Sequence, residues 1–308
     1  MYDYHNPVLL HPSVNALVTN PDGTYVDVTF GGGGHSNAIL QKLSSKGRLI
    51  SFDQDEDTLT RAPKDPRFTL INHNFQFTKQ YLEYLKAVPV DGILADLGIS
   101  SHQIDVGERG FAHRLNGPLD MRMSASNPNS AAHIVQNASE KELNYIFKQY
   151  GEIPNARRLS DQIIRCRGNN KDLSSIEGFK SAIASCTPSK TPAKYLSQVF
   201  QALRIAVNKE MEVLETLLSD AESLIKPGGK LVVISYHSLE DRLVKHLFQT
   251  GNLEGNRHTD LYGHISKPFD NQPNAAITPD ESEIESNKRA RSAKMRIGVR
   301  NTWKRTHS

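Results

Sequence analysis

The sequence predicts an α/β protein: a parallel sheet, covered by helices on both faces, that an all-helical insertion interrupts. Three observations indicate this fold. Strand-like and helical segments alternate strictly over residues 24–97, the alternation then stops, and the apolar segment at residues 230–236 resumes it. Strands that alternate with helices form parallel βαβ units with right-handed crossovers. We therefore predict a discontinuous sheet domain, residues 1–101 and 194–308, with a helical insertion at residues 102–193.

The alternating segments fill the first third of the chain. Runs of β-branched and aromatic residues predict strands at Thr24–Phe30, Arg48–Phe52, Phe68–Ile71 and Val90–Leu97. Helices are predicted between them at Ser36–Leu43, Asp55–Arg61 and Phe77–Val88. The fourth strand contains the apolar run Gly92-Ile93-Leu94-Ala95, which is typical of a sheet with both faces buried.

The insertion is predicted to be helical from its capping signals. Residues 102–130 are rich in Gly, Asn, Ser and Pro, and three helical segments follow without an intervening strand. Two of these segments open with a capping-box pattern, which is Ser139 with Glu142 in one and Ser174 with Glu177 in the other.

The sheet resumes in the last third of the chain. A single long amphipathic helix is predicted over residues 199–225, and Pro227-Gly228-Gly229 ends it. A core strand at Lys230–Tyr236 and a helix at Ser238–Phe248 follow. The final strands are predicted at Tyr262–Lys267 and Ala293–Val299.

Composition excludes several classes of protein. The 308 residues are 37% hydrophobic and 23% charged, and no apolar run approaches the roughly 18 residues that a membrane span needs. The first residues lack the basic and apolar regions of a secretory signal. Cys166 and Cys186 are the only cysteines and no His-x-x-x-His pair occurs, which argues against a disulfide framework and a catalytic metal. We expect a soluble, cytoplasmic protein with no bound metal.

Basic residues are concentrated at the C-terminus. The net charge is +3, yet the segment after Glu285 carries eight basic residues and no acidic ones. Such a segment suits contact with a polyanion, and a solvated tail is the alternative. Ala293, Met295 and Ile297 share one face of the last predicted strand, so the segment is expected to be part sheet and part polyanion contact. The chain beyond Val299 is then expected to be dispensable for folding.

A glycine-rich loop follows the first strand. Gly31-Gly32-Gly33-Gly34 joins this strand to the next helix, and the absence of Cβ atoms lets a ligand approach the backbone. Asp53 ends the second strand about 20 residues later, at the position from which a carboxylate accepts hydrogen bonds from ribose hydroxyls. Together these features predict a nucleoside-containing cofactor, with a purely structural turn as the alternative.

The loop favours S-adenosyl-L-methionine over a nicotinamide dinucleotide. The dinucleotide pattern Gly-x-Gly-x-x-Gly needs a glycine at position 36, where the chain has Ser36. S-adenosylmethionine has no pyrophosphate, and the polar segment Asp96–Ser101 after the fourth strand supplies groups to border its methyl group. The carboxyl ends of parallel strands meet at one edge of a sheet, so we expect the loop, Asp53 and Asp96 to converge. A nicotinamide oxidoreductase is the alternative enzyme class.

Eight segments resemble one known family. They are His5–Leu9, Asp27–Ser36, Ala95–Asp105, Glu108–Phe111, Gly117–Met123, Phe200–Glu210, Ser235–Lys245 and Arg289–Arg296. In this order, and over nearly the whole chain, they resemble the RsmH family, also called MraW, of S-adenosylmethionine-dependent methyltransferases. The resemblance implies a Rossmann-like class I methyltransferase sheet with an inserted helical domain for RNA recognition. It also implies methylation of N4 of a cytidine in the decoding region of 16S ribosomal RNA.

The resemblance also implies which residues form the site. Cofactor contacts fall on Gly33, Gly34, His35, Asp53, Phe75, Asp96 and Gln103. Phe75 is expected beside the adenine. The cytosine amine needs acceptors for its protons, and His237 and Ser100 are the catalytic candidates. Asp96, Ser235 and a nearby backbone carbonyl are the alternatives. The chain departs from the family pattern at Ala112-His113, Ile153 and Lys288, outside the cofactor loop.

Several of these residues have a structural alternative. Asp27 can anchor the glycine loop through backbone amides, and His237 can be a hydrogen-bonded histidine of the fold. The segment Ser238–Asp241 can serve as a helix cap. Arg109 with Asp120–Arg122 can form an internal salt-bridged loop.

Two functional alternatives stay open. They are a DNA N4-cytosine methyltransferase and a non-catalytic RNA-binding protein that retains the cofactor fold. The expected partner is small-subunit ribosomal RNA, either free or in the assembled small subunit, and no membrane partner is expected. The oligomeric state is open, with a homodimer as one option.

Overall fold

The computed structural model describes residues 7–260 and 262–303. Its contacts divide the chain into two compact units: the sheet unit, Met1–Gly98 with Met211–Ser308, and the helical unit, Ile99–Glu210. The helical unit extends beyond the expected insertion at both ends. Four residues named above lie outside the described residues. They are His5 and Asn6 of the first segment that resembles the family, and Lys304 and Arg305 of the basic C-terminal segment.

A seven-stranded mixed sheet forms the sheet unit. Its strands are β1 (Thr24–Asp27), β2 (Arg48–Phe52), β3 (Phe68–Ile71), β4 (Val90–Asp96), β5 (Ile225–Ser235), β6 (Phe269–Asn271) and β7 (Lys294–Arg300). The strand order is β3-β2-β1-β4-β5-β7-β6. Strands β1 to β5 run parallel, whereas β7 runs antiparallel to both β5 and β6. The predicted α/β fold class is confirmed.

Helices cover both faces of this sheet. Numbered along the chain, the helices of both units are α1 (Leu10–Leu17), α2 (Gly34–Lys42), α3 (Thr78–Tyr84), α4 (Ser101–Asp105), α5 (Ala131–Asn137), α6 (Glu140–Gln149), α7 (Ala156–Gly168), α8 (Ile176–Ala182), α9 (Pro192–Asn208), α10 (Glu210–Leu224), α11 (Ser238–Thr250) and α12 (Glu281–Ser286).

Consecutive residues of a strand point to opposite faces of the sheet. In β1, Tyr25 packs with Leu17 and Ile39 of α1 and α2, and Val26 packs with Leu218 and Phe248 of α10 and α11. No described helix is both long and apolar enough to cross a membrane.

Helix α9 packs in the core of the helical unit. Its buried Val199 and Leu203 belong to one cluster with Phe147 of α6 and Phe179 of α8. The predicted boundary at residue 194 places this helix in the sheet domain instead, because periodicity shows that a helix has an apolar face but not which core receives it.

The expected single helix over residues 199–225 is wrong. Lys209 has a left-handed backbone, with a φ of 52°, and separates α9 from α10. The Asn208 side-chain amide donates to the Met121 carbonyl at 2.8 Å and its oxygen accepts the Met123 N–H at 2.8 Å. These hydrogen bonds fasten the end of α9 to a distant loop, which a periodic pattern does not reveal.

Of the two predicted capping boxes, one is present and one is displaced by a residue. The capping box of Ser139 and Glu142 is confirmed. Helix α8 is capped by Ser175, one residue later than predicted. The hydroxyl of Ser174 instead donates to Asp172 at 2.7 Å.

The predicted strand at Tyr262–Lys267 is wrong, and the edge strand β6 follows it. The Asp260 carboxylate accepts the N–H groups of Tyr262 and His264, both at 2.9 Å. An aspartate that binds the backbone ahead of it stabilises a turn. This local hydrogen bonding outweighs the strand preference of the segment.

Arg109 and Arg122 are part of an internal loop of the helical unit. Arg109 donates to the carbonyls of Arg122 and Met123, both at 3.2 Å. Arg122 forms a bidentate pair with Asp120, in which Nε lies 2.9 Å from Oδ1 and Nη2 lies 2.8 Å from Oδ2. The structural alternative considered for this segment is therefore what the structure shows.

Strand β7 buries two of the C-terminal basic residues, Arg296 and Arg300. Arg296 Nε lies 2.6 Å from Asp241 Oδ1, and Lys294 Nζ lies 3.4 Å from Asp241 Oδ2. The Arg300 guanidinium is 9% exposed and lies 3.5 Å from Glu222. The strand ends at Arg300, one residue later than predicted, and Arg300 is buried. The expectation that the chain beyond Val299 is dispensable for folding stays a prediction, against which this burial argues.

Candidate active site

The loop between β1 and α2 bends at its glycines. Gly31 and Gly33 have φ angles of 52° and 80°, a region that residues with side chains rarely adopt. A Cβ on Gly33 would lie 2.9 Å from the Phe30 ring, and one on Gly34 would overlap Pro7. Protein neighbours alone therefore require glycine at positions 33 and 34. The predicted approach of a cofactor to these two glycines stays a prediction.

The first described residues pack onto this loop. Pro7 lies against Gly34. Two residues later, the backbone N–H of Leu9 donates to Glu283 Oε1 of α12 at 2.6 Å. A contact between residues far apart in the chain thus holds Leu9, two residues after the Pro7 that packs on the loop.

The side chain of Asp27, the last residue of β1, anchors the glycine-rich loop. Its buried carboxylate accepts hydrogen bonds from Ser36 Oγ at 2.6 Å and from the Thr29 N–H at 3.1 Å. Burial raises the pKa of Asp27, and these hydrogen bonds oppose the rise. Ser36 Oγ also lies 2.9 Å from Ser51 Oγ. The anchoring alternative therefore describes Asp27, and Ser36 has a role that a glycine cannot fill.

Asp53 lies at the carboxyl end of β2, beside the loop. Its Oδ2 accepts the Gly31 N–H at 2.7 Å, and its Oδ1 accepts the Asp55 N–H at 2.9 Å. Burial raises the pKa of Asp53 to about 6, while the two backbone hydrogen bonds lower it. The carboxylate is therefore largely ionised at neutral pH, and each oxygen keeps a lone pair for a further donor.

Phe75 follows β3 in a 3-10 turn, Phe75–Phe77. Asn74 caps this turn by accepting the Gln76 N–H at 2.9 Å, and its Nδ2 donates to Gln54 Oε1 at 2.8 Å. These bonds tie the end of β3 to the end of β2. The Phe75 ring is half-buried against the core of the sheet unit, so its exposed part stays the candidate for the adenine contact.

Asp96 ends β4 next to β1. Its N–H donates to Thr29 Oγ1 at 2.7 Å, and its Oδ1 accepts the Tyr236 hydroxyl at 2.8 Å. Burial raises the pKa of Asp96 to about 7. The negative charges of Asp27 and Glu240 add to this rise, and the hydrogen bond from Tyr236 opposes it. A carboxylate with this pKa can exchange a proton near neutral pH.

His35 is the second residue of α2, directly after the glycine-rich loop. Its ring is 5% exposed, and its Nδ1 lies 3.6 Å from Asp96 Oδ2. Burial lowers the pKa of His35 to about 4, so the imidazole is neutral at physiological pH. Its Nε2 is buried and has no hydrogen-bond partner among the described residues.

The turn between β5 and α11 carries His237. Glu240 Oε2 accepts the backbone N–H groups of Tyr236 at 2.8 Å and of His237 at 3.3 Å. The Nε2 of His237 lies 3.1 Å from Glu240 Oε1, with both side chains less than a tenth exposed. By accepting these two N–H groups, Glu240 provides the cap of α11 that was expected within Ser238–Asp241. Despite the proximity of Nε2 to Glu240 Oε1, neither ring nitrogen of His237 has a hydrogen-bond partner among the described residues. The contact of His237 with substrate stays a prediction.

Ser100 and Gln103 belong to the helical unit. The Ser100 N–H donates to Gln103 Oε1, and the Gln103 N–H donates to Ser100 Oγ, both at 3.2 Å. This reciprocal pair is the pattern of a capping box, at the start of α4. Both residues have this structural role, and their contact with substrate or cofactor stays a prediction.

The sheet unit brings most of the predicted residues to the carboxyl edge of its strands. These residues are Gly33, Gly34, His35, Asp53, Phe75, Asp96 and His237. Sequence reasoning missed Tyr236 and singled out Glu240 only within a helix cap. The His-x-x-Glu spacing of a capping box was the available signal for Glu240. Tyr236 gave no signal of its own, because its contact depends on the pairing of β4 with β5, in which Asp96 is opposite Ile234.

Known proteins resemble this chain over almost its entire length. The MraW methylase family matches residues 3–301. The ribosomal RNA small subunit methyltransferase H of Flavobacterium johnsoniae is 50% identical over 295 residues, which cover 96% of this chain and 97% of that protein. The protein of the same name from Bacteroides thetaiotaomicron is 50% identical over 294 residues, or 96% of each chain. A solved rRNA methylase from Streptococcus thermophilus is 10% identical at a TM-score of 0.38, over 94% of this chain and 92% of that one. By the extent of the family match, this chain belongs to the MraW methylase family.

Proposed function

We propose that this chain transfers the methyl group of S-adenosylmethionine to N4 of a cytidine in small-subunit ribosomal RNA. Family membership supplies the methylase activity, and the names of the relatives supply the class of RNA. One structural observation carries the chemistry. Asp96, a half-buried carboxyl group, lies at the carboxyl end of β4 beside the glycine loop, and desolvation raises its pKa to about 7.

The residues at this edge fit S-adenosylmethionine. This cofactor supplies an electrophilic methyl group on a sulfonium. The Asp53 carboxylate has lone pairs for the ribose hydroxyls, and the half-buried Phe75 ring can cover the adenine. The buried His35 Nε2, which has no hydrogen-bond partner among the described residues, would gain one from a polar ligand.

The cytosine amine must be activated by orientation. Its lone pair is delocalised into the ring, so it is a poor nucleophile. Transfer forms the bond from N4 to the methyl carbon, breaks the bond from that carbon to sulfur, and leaves a neutral thioether and a surplus proton on N4. The Asp96 carboxylate can accept a hydrogen bond from the amine, which turns the lone pair toward the methyl group, and can then take that proton. Holding the reactants in this geometry supplies much of the acceleration.

We assign RNA recognition to the helical unit. A base in RNA must be splayed from its stack before it enters such a site, which requires a grip on the neighbouring nucleotides. The exposed basic residues on and after α7 are Arg157, Arg158, Arg165 and Lys171. Arg167, in the same cluster, donates to the carbonyls of Val135 at 2.6 Å and Ala138 at 2.7 Å and so stabilises the unit.

Mass spectrometry of ribosomal RNA tests the proposed function. We expect an N4-methylated cytidine in small-subunit RNA to disappear when the gene is deleted. The modification should return with the wild-type chain and not with Asp96→Asn. Retention of the modification would overturn the RNA assignment, and its loss from DNA instead would identify a DNA methyltransferase. RNA binding without turnover would identify a non-catalytic protein.

We expect Asp53→Ala to weaken S-adenosylmethionine binding about tenfold or more, because a charged hydrogen-bond acceptor contributes roughly 1.5 to 3 kcal/mol. Calorimetry measures this affinity. Because the pKa of Asp53 is about 6, wild-type affinity should fall as the pH drops below 6, and the variant should lack this dependence. Glu56→Ala, which removes an exposed carboxylate three residues on, is the control. Equal affinity in Asp53→Ala and the wild type would exclude the ribose contact.

We expect the double variant Arg158→Gln, Arg165→Gln to bind RNA more weakly with unchanged affinity for S-adenosylmethionine. The two residues are seven positions apart and share one face of α7. If each contacts a phosphate, the log–log dependence of RNA affinity on salt becomes shallower by roughly 0.7 per contact. Lys42→Gln with Lys46→Gln removes the same charge from an exposed part of the sheet unit and is the control. If the salt dependence of RNA affinity were unaltered in the α7 variant, Arg158 and Arg165 would be solvated residues that do not contact RNA phosphates.

A further inference from the structure

We propose that Tyr236 is a positioning residue of the methyl transfer, whose hydroxyl holds the Asp96 carboxylate in place and in its ionised form as the acceptor for the cytosine amine. The proposal rests on the role that the proposed function gives to Asp96. Tyr236 would act on the reaction through its hydrogen bond to Asp96.

Both ends of Tyr236 are fixed. Its N–H donates to Glu240 Oε2 at 2.8 Å, so the first turn of α11 holds the backbone. Its ring packs beside Gly98, where an added Cβ would lie 3.4 Å from the ring. Its hydroxyl then reaches Asp96 Oδ1 at 2.8 Å. A phenol anchored in this way fixes the plane of the carboxylate, because the donor has no freedom to follow a rotating acceptor.

The surroundings of Asp96 otherwise oppose its ionisation. Burial is the largest cause of its raised pKa, and the negative charges of Asp27 and Glu240 add to it. His35 faces the other oxygen from α2, but its own pKa of about 4 leaves it neutral. The Tyr236 hydroxyl is thus a hydrogen-bond donor that favours the charged carboxylate among groups that disfavour it. The pKa of Tyr236 itself is raised well above its usual value by burial and by the charge of Asp96, so the phenol keeps its proton.

Tyr236→Phe tests the proposal, because it removes only the hydroxyl. Loss of this donor should raise the pKa of Asp96 and move the acidic limb of the kcat/KM profile upward by about one pH unit. The rate would then fall about fivefold at pH 7 and hardly at all at pH 9, where the carboxylate is ionised in both proteins. Tyr25→Phe is the matched control. The Tyr25 phenol is also buried, but it bonds the backbone of Thr19 and Asn20 and should not move the limb.

A second measurement needs no turnover. A carboxyl group whose pKa is raised on folding makes the free energy of unfolding fall as the pH rises, until the folded-state pKa is passed. In the ligand-free wild type this decline should end near pH 7, since the pKa of Asp96 is about 7. In Tyr236→Phe it should continue to about pH 8. Adding Tyr236→Phe to an Asp96→Asn chain should leave the pH dependence unchanged.

The two measurements separate the possible failures. A uniform loss of rate at every pH, or unfolding curves with the same pH dependence, would show that Tyr236 is merely structural and would overturn the proposal. If the wild type transfers no methyl group to RNA, the proposed function fails. The unfolding experiment would still decide whether the hydroxyl controls the ionisation of Asp96.

Discussion

Replacing Asp96 by asparagine should lower the rate of methyl transfer by about a thousandfold. Positioned acid–base groups contribute roughly 10² to 10⁴ to rate, and the amide cannot take a proton from the cytosine amine. The asparagine keeps the shape of the side chain and an oxygen for the Tyr236 hydroxyl, so the fold should be intact. Single-turnover transfer from S-adenosylmethionine to small-subunit RNA, with enzyme in excess, measures the chemical step.

Asp91→Asn is the matched control for this substitution. Asp91 lies in the same strand, at its opposite end, where it accepts the Thr24 N–H at 3.0 Å and pairs with Lys226 at 2.6 Å. The control should retain the rate. Comparable rates in Asp96→Asn and the wild type would rule out Asp96 as the acceptor and return the role to His237, Ser100 or a backbone carbonyl.

The same substitution should stabilise the protein at alkaline pH. The pKa of Asp96 is raised to about 7 in the folded chain, so its contribution to stability is full at low pH and is lost as the pH rises toward 7. Asparagine carries no charge and avoids this loss. At pH 8 the free energy of unfolding should therefore exceed that of the wild type by on the order of 3 kcal/mol. At pH 4 the two should be close.

Arg300→Gln should lower the free energy of unfolding by about 3 kcal/mol, because it removes a buried guanidinium and leaves several backbone carbonyls without their donor. The guanidinium donates to the carbonyls of Glu222 at 3.1 Å, Pro268 at 3.3 Å and Trp303 at 3.0 Å, besides its pairing with the Glu222 carboxylate. Urea unfolding followed by circular dichroism measures the loss. Arg291→Gln, at an exposed position before β7, should change stability by less than about 0.5 kcal/mol.

This result would also decide where the C-terminus can be shortened. Truncation from Arg300 should unfold the edge of the sheet. A truncation designed to test RNA contact must begin at Lys304 or later. If Arg300→Gln were as stable as the wild type, the interactions of Arg300, including its pair with Glu222, would contribute nothing to stability. The expectation that the chain beyond Val299 is dispensable for folding would then be supported.

Sequence patterns were most informative where local chemistry decides the structure. The strands β2 and β3 have the predicted bounds, because a short apolar run between turn residues has few alternatives. The predictions failed where distant residues decide. Lys209 interrupts a continuous helical pattern beside the tertiary bonds of Asn208. Arg300 was placed beyond the last strand, in the segment expected to contact a polyanion, because its partner Glu222 lies 78 positions earlier.

The candidate site shows the same division. The carboxylates Asp53 and Asp96 were predicted from their places at strand ends, and the family match confirms the methyltransferase class. The environment of each carboxylate was not predictable. The backbone donors of Asp53 and the phenol that bonds Asp96 come from loops whose paths depend on strand pairing.

The hydrogen bond between the Leu9 backbone and Glu283 spans 274 positions of the chain. During synthesis, the glycine loop and Pro7 leave the ribosome among the first residues, and α12 leaves near the end. After Leu9 is made, the chain must therefore grow by 274 positions before the hydrogen-bond partner of Leu9 exists. Pairings of such large sequence separation form slowly, since the entropy of loop closure must be paid before they are made. Chains that lack α12 are thus expected to lack the hydrogen bond that holds Leu9, two residues from the Pro7 that packs on Gly34.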